Sequence, residues 1–361
     1  MTQTLLVNKA DFGDVACVNA PLGDLQNGFI RCDVGPWALT ANNITYMVTG
    51  DRIGYWQYFA PEAYGINLEG HGRMPVWGYA KVTESRCEDV EIGQTLYGFL
   101  PITQSFDMKP DRATPMGFQD GNDHRTKLHA IYNRYSFVDA DPSFGIEPTL
   151  QPVLRPLFTT SFLIDDFLAE KEFFGADQVL ILSASSKTAL GTAFCLKQRD
   201  SIKVTALTSE GNKDFTKDTG FYNETYTYDN VTDLDPSLKT TIVDMSGNAK
   251  VLAALGDHFG DNITYVCKVG LSHWGAGGGP KMNIAAPVEF FFAPDQAKTR
   301  IAEWGGAGFA QKLGARWVPF LKSAKDWLQI EQAEGLESIL SVYKDVLNGN
   351  AAPDKGYLFT L

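Results

Sequence analysis

The chain has 361 residues, 44% of them hydrophobic, a formal net charge of −12 and an isoelectric point near 4.9. Single cores seldom grow beyond ~250–300 residues, so two domains are expected. The acidity argues against nucleic acid or an anionic membrane as partner, and no apolar run approaches the ~20 residues that cross a bilayer.

Five cysteines, Cys17, Cys32, Cys87, Cys195 and Cys267, are scattered without a C-x-x-C pair. That spacing speaks against a disulfide framework and against a structural zinc lobe. The opening MTQTLLVNKADFGD has no basic stretch leading into an apolar one, so the expected location is cytoplasmic.

In chain order, residues 1–150 are expected to form a first domain, completed by 295–361. It contains the turn-rich segments DMKPDRATPMGFQDGNDHR and DADPSFGIEP. The first is long for a loop in a β-rich fold and reads as a lid, a dimer loop or an irregular excursion. Pro152 to Phe174 read as linking helices. Residues 151–294 then carry an alternating rhythm of strands and helices. Val179–Leu182 is a buried strand, and a helix starts near Ser186 with Gly191 allowing close helix–strand approach. Further strands are expected at Ile202–Thr208, Glu224–Tyr228, Thr240–Ser246 and Ile263–Val269, with a helix over Ala249–Phe259. This is the pattern of βαβ units, hence a doubly wound parallel sheet of Rossmann type. Beyond it, AKTRIAEWGGAGFAQKL, ARWVPFLKSAKDWLQI and LESILSVYKDVL read as amphipathic helices, with Trp304, Trp317, Phe320 and Trp327 as packing residues.

In such sheets a ligand lies across the carboxyl ends of the strands. Ser185, Ser186, Lys187 and Thr188 follow the first strand, where a helix N-terminus offers backbone N–H groups to a phosphate. The loop is neither a Walker A sequence, because an aliphatic residue and Ser186 stand at its glycine positions, nor a match to G-x-G-x-x-G, because Ser183 and Ser185 do. The bland reading is a hydroxyl-capped helix after a core strand. Ser209 and Lys213 end the second strand, and hydroxyls with a lysine suit the 2′-phosphate of NADP. Glu210 is the contrary residue, since a carboxylate there suits NAD. Ser246, Gly270 and His273 end the later strands and complete the expected cofactor set.

Four segments resemble, in order, the medium-chain dehydrogenase/reductase superfamily on its zinc-free, quinone-oxidoreductase-like side. They are CDVGPWALTANNITYMVTGD, MPVWGYAKVTESRCEDVEIGQTLYGFLP, FGADQVLILSASSKTALGTAF and the terminal GYLFTL. The resemblance spans nearly the whole chain, its weight lies in the order of the pieces, and it points to an uncharacterised offshoot. It implies an α/β fold in which a β-rich, GroES-like, partly open barrel precedes the Rossmann-type domain. It also implies NADP as cofactor, a small-molecule substrate and a homodimer. Where zinc-dependent members carry His-Glu, this chain has Val76 and Trp77 before Gly78, neither a metal ligand.

The resemblance places the reacting side chains in ALTANNITYM, read as a strand reaching an Asn-rich turn. Asn42 and Asn43 offer amide N–H groups to a carbonyl oxygen, Thr45 supports them, and Tyr46 is the proton donor, with Tyr55 as alternative. Thr45 stands where the zinc-free relatives carry an acid in N-x-x-D. The reading is hydride transfer from NADPH to an enone, quinone or ketone. The alternative is a catalytically silent NADPH-binding sensor or partner. An Asn-Asn pair also marks ordinary turns, and Tyr46 reads equally as a packed aromatic.

Overall fold

The computed structural model describes residues 1–269 and 283–361. The chain divides into two compact units, residues 1–154 with 328–361, and residues 155–327.

The first unit is β-rich and antiparallel, except that Gln329–Glu334 runs parallel to Lys355–Thr360. A nine-stranded sheet runs in the order Gln329–Glu334, Lys355–Thr360, Ile30–Leu39, Pro75–Ser85, Thr95–Pro101, Arg134–Phe137, Gly117–Asp120, Pro110–Thr114, with Ser105–Met108 also paired to Ile30–Leu39. A second sheet joins Val15–Ala20, Thr2–Asn8 and His71–Gly72. Where Ile30–Leu39 meets Pro75–Ser85 the register jumps between Val34 and Trp37, a bulge at Gly35-Pro36. A Cβ on Gly35 would lie 2.3 Å from Thr360 Cγ2, and one on Gly78 would lie 2.5 Å from Trp37 Cβ. Bare backbone at both places lets the sheet bend and close around Trp37, Phe99, Phe106 and Tyr135, all buried.

Two expectations change here. The segment at 107–125, read as a loop or lid, forms strands, and its polar residues are the reason. Arg125 is fully buried, donating to Asp120 Oδ2 (2.8 Å), the Tyr135 hydroxyl (3.0 Å), Asn133 Oδ1 (2.8 Å) and the Tyr132 carbonyl (2.8 Å). Residues that look like loop solvation are an interior ion pair that satisfies its own hydrogen bonds. The Asn-rich turn is also not a turn: Ala41–Val48 is a helix capped by Thr40.

The second unit holds a six-stranded parallel sheet. Numbered within the unit, its order is 3-2-1-4-5-6: Glu224–Thr227, Lys203–Thr208, Gln178–Leu182, Thr240–Asp244, Ile263–Lys268, Val288–Phe290. The first strand is buried at every position, as a strand covered on both faces must be. The order reverses between Gln178–Leu182 and Thr240–Asp244, which makes their carboxyl ends the switch point.

The helix Lys187–Lys197 packs against another helix rather than a strand at Gly191. A Cβ there would lie 2.6 Å from Ser161 Oγ and 3.2 Å from Phe158 Cδ2. Ser161 and Phe158 belong to the helix Gln151–Glu170. Residues 293–323 form two helical segments as expected, but they meet at a kink at Gly305 (φ 72°) rather than near Gly314. The helix stops at Ser323, so Trp327–Ile330 leave it, and Gln329–Glu334 is a strand. Residues 295–327 lie in the second unit instead of completing the first. Their aromatics explain it: Phe320 stacks on Phe158 (4.7 Å between centroids) and packs on Phe194 (5.3 Å). The segment 328–361 alone returns to the first unit.

Candidate active site

The structure offers two groups of side chains, one in each unit. In the second unit they gather at the switch point. Leu182 ends the first strand, and Ser183 takes a left-handed conformation (φ 52°) that turns the chain toward the helix. Its backbone N–H donates to the Tyr228 hydroxyl at 2.9 Å. Ser186 is the N-cap, its hydroxyl accepting from Ala189 N at 3.3 Å. That bond uses the Ser186 oxygen as an acceptor and leaves its O–H proton to donate. Lys187 and Thr188 open the helix, where first-turn N–H groups have no intrahelical acceptor, and both are half-buried.

Ser185 is buried and tied to the second strand end. Its hydroxyl oxygen accepts from Asn212 Nδ2 at 3.0 Å and from the Thr208 hydroxyl at 3.4 Å. Asn212 is thus the residue of that turn that reaches the site. Ser209 is exposed, and Lys213 is half-buried at the start of the helix Lys213–Asp218.

Asp244 ends the fourth strand, wholly buried. One carboxylate oxygen accepts from Ser246 N (2.9 Å), Ser246 Oγ (2.7 Å) and Gly247 N (2.9 Å). The other, Oδ2, is buried with no hydrogen-bond partner among the described residues. Sequence reasoning chose Ser246 and passed over Asp244, although a carboxylate ending the apolar run TTIVD was the available signal. Gly270 and His273 lie outside the described residues.

In the first unit the helix Ala41–Val48 carries Asn42, Asn43, Thr45 and Tyr46. Asn43 is buried and spent on structure. Its Oδ1 accepts from Thr40 N at 2.7 Å and its Nδ2 donates to the Pro75 carbonyl at 2.9 Å. Thr45 is half-buried, and its carbonyl accepts from the Thr49 hydroxyl at 2.6 Å. Asn42 behaves differently: its Nδ2 donates to the Tyr46 hydroxyl at 2.7 Å. The indole N–H of Trp77 donates to the same oxygen at 2.9 Å.

Tyr46 therefore sits in an aromatic cluster with Tyr55 (4.6 Å between centroids), Phe99 (5.2 Å) and Tyr132 (6.3 Å). Burial pushes its phenol far above the ordinary tyrosine value, against the pull of the two N–H donors. Tyr55 is also pushed up by burial, and its hydroxyl shares a 2.9 Å hydrogen bond with that of Tyr132. Trp77 was read only as a missing metal ligand. Its contact with Tyr46 arises from strand pairing, which sequence alone does not display.

A GroES-like, β-rich unit and a Rossmann-type unit define the fold of the medium-chain dehydrogenase/reductases. The chain itself belongs to a family described as proteins of unknown function, DUF2855, whose model matches residues 37–352. No curated protein matches it. Among solved structures, the mitochondrial 2-enoyl thioester reductase Etr1p/Etr2p heterodimer from Candida tropicalis is similar with a TM-score of 0.62 at 11% identity, over 100% of this chain and 99% of that one. CurA from Vibrio vulnificus gives 0.61 at 13% identity, over 100% and 98%. The yhdH oxidoreductase from Salmonella enterica, in complex with NADP, gives 0.53 at 14% identity, over 100% of both chains.

Proposed function

We propose that this protein is an NADPH-dependent, zinc-independent reductase acting on an activated C=C or C=O bond, and that it works as a cytoplasmic homodimer. The observation that carries the reading is the hydroxyl-lined turn Ser183–Ser186, at a helix N-terminus on the switch point of a 3-2-1-4-5-6 sheet. The residues fit a nucleotide cofactor. The first-turn N–H groups and Lys187 suit a phosphate, Lys213 suits a second one, and the orphaned Asp244 Oδ2 suits a hydroxyl donor. The fold shared with the yhdH oxidoreductase, which is in complex with NADP, supports NADP as the cofactor.

When bound, the cofactor supplies a hydride. The protein supplies the rest: the second unit holds the nucleotide, and Tyr46 delivers the proton that completes reduction of the substrate. Val76 and Trp77, standing where zinc-dependent members carry their metal pair, favour a mechanism in which a phenol rather than a metal meets the developing oxyanion.

The test is a fluorescence titration of the purified protein with NADPH and with NADH. Tighter binding of NADPH is expected. Lys213→Ala should weaken NADPH by roughly tenfold to a hundredfold, the worth of a hydrogen bond to a charged group, while barely changing NADH, and Lys187→Ala should weaken both nucleotides by a similar factor. If neither nucleotide binds, the reading is wrong. Size measurement by light scattering tests the dimer.

A further inference from the structure

The Tyr46 hydroxyl oxygen receives two N–H groups, from Asn42 and Trp77. A phenol oxygen has one proton to give, and two acceptor positions are about its limit. With both filled, the proton must leave in a third direction. Among the described residues no side chain or carbonyl accepts it, although Tyr46 is only 5% exposed. Buried hydroxyls normally find an acceptor, so this one is held for a partner that is not part of the protein.

We infer that Trp77 is a positioning residue, which with Asn42 fills the Tyr46 oxygen and turns its proton outward toward the substrate. The inference rests on the reductase reading for its chemistry and on geometry for its existence. The Trp77 ring cannot swing away. Its strand pairs it with Phe99 and Ala38, its ring stacks on Tyr97 (5.8 Å, 25°) and packs on Phe99 (5.2 Å). Asn42 is reassigned at the same time: it serves Tyr46, one helical turn away, rather than a substrate carbonyl.

The chemistry balances. Reducing an enone takes one hydride, supplied by NADPH, onto the β-carbon. The C=C electron pair moves toward the carbonyl, and the oxygen becomes an enolate. Tyr46 gives its proton to that oxygen, the enol tautomerises to the saturated ketone, and NADP⁺ leaves. The Tyr46 phenolate, held meanwhile by the Asn42 and Trp77 N–H groups, is reprotonated from water.

The experiment has two arms on the full-length protein. In the first, 2,3,5,6-tetrafluorotyrosine replaces Tyr46, so that the phenol ionises while the protein is still folded, and its absorbance is followed against pH. Removing one N–H donor with Trp77→Phe should raise the ionisation point by about one pH unit. Asn42→Asp, which offers an acceptor instead of a donor, should raise it at least as far. In the second arm, kcat of Trp77→Phe with an enone should fall roughly tenfold, and that of Asn42→Asp further, with NADPH binding unchanged.

An ionisation point unmoved in both variants overturns the inference, whatever the activity. So does an undiminished kcat in Asn42→Asp. If the wild type binds NADPH but reduces nothing, the reductase reading fails alone, and the ionisation arm still decides the hydrogen-bond assignment.

Discussion

Single residues in this chain are fixed by close approach more than by chemistry. Gly191 is the clearest case, because the helix Lys187–Lys197 lies directly on Ser161 of the linking helix. Gly191→Ala should cost about 1–3 kcal/mol through overpacking, read as a lower midpoint in denaturant with an unchanged slope. It should also weaken nucleotide binding, since that helix begins the hydroxyl-lined turn. A variant as stable as the wild type would show that Ser161 can move aside. The glycine was visible in the sequence as a small residue in a helix. Its partner was not, since only tertiary packing brings residue 161 beneath residue 191.

At the scale of elements, legibility followed burial. The central strands of the parallel sheet are apolar runs, such as Gln178–Leu182, and five of its strands were readable to within a residue or two, whereas the short Val288–Phe290 was not expected. The first unit hid more. Pro110–Thr114 (PDRAT) and Gln329–Glu334 (QIEQAE) are exposed strands with no apolar face to advertise them. The helix Ala41–Val48 reads as a turn because Asn-Asn suits both, and the Thr40–Asn43 capping bonds settle it. The serine turn was legible because phosphate chemistry concentrates in neighbouring residues. Asn42, Tyr46 and Trp77 meet only through the fold.

The aromatic cluster also sets the behaviour of the first unit in alkali. Burial raises the phenols of Tyr46, Tyr55, Tyr58, Tyr132 and Tyr135 above their ordinary value near 10. The folded state thus keeps protons that the unfolded chain releases. Stability from these groups is complete below pH 10 and falls above it, by about 1.4 kcal/mol per pH unit for each group. The expected outcome is cooperative alkaline unfolding soon above pH 10, with tyrosine absorbance rising in one step together with loss of circular dichroism. Gradual, independent ionisation of these phenols in a folded protein would contradict it.

For the whole molecule, the chain leaves the first unit at residue 154 and returns to it at 328. The returning segment lays Lys355–Thr360 against Ile30–Leu39, and Thr360 rests on the bare backbone of Gly35. On the ribosome this inverts the usual order, in which the N-terminal domain folds first. The Trp37–Leu39 end of the first unit's central strand waits with an open edge until the whole second unit has been made, while residues 155–327 need nothing that comes later to complete their sheet. Nascent chains stalled once residue 327 has emerged should resist protease in the second unit and be cut within residues 1–154. Protection of both would mean the early strands close without their late neighbour. A translating chain of this protein therefore carries an unpaired strand edge for more than half of its synthesis, which makes the young polypeptide, rather than the finished fold, the state most in need of a chaperone.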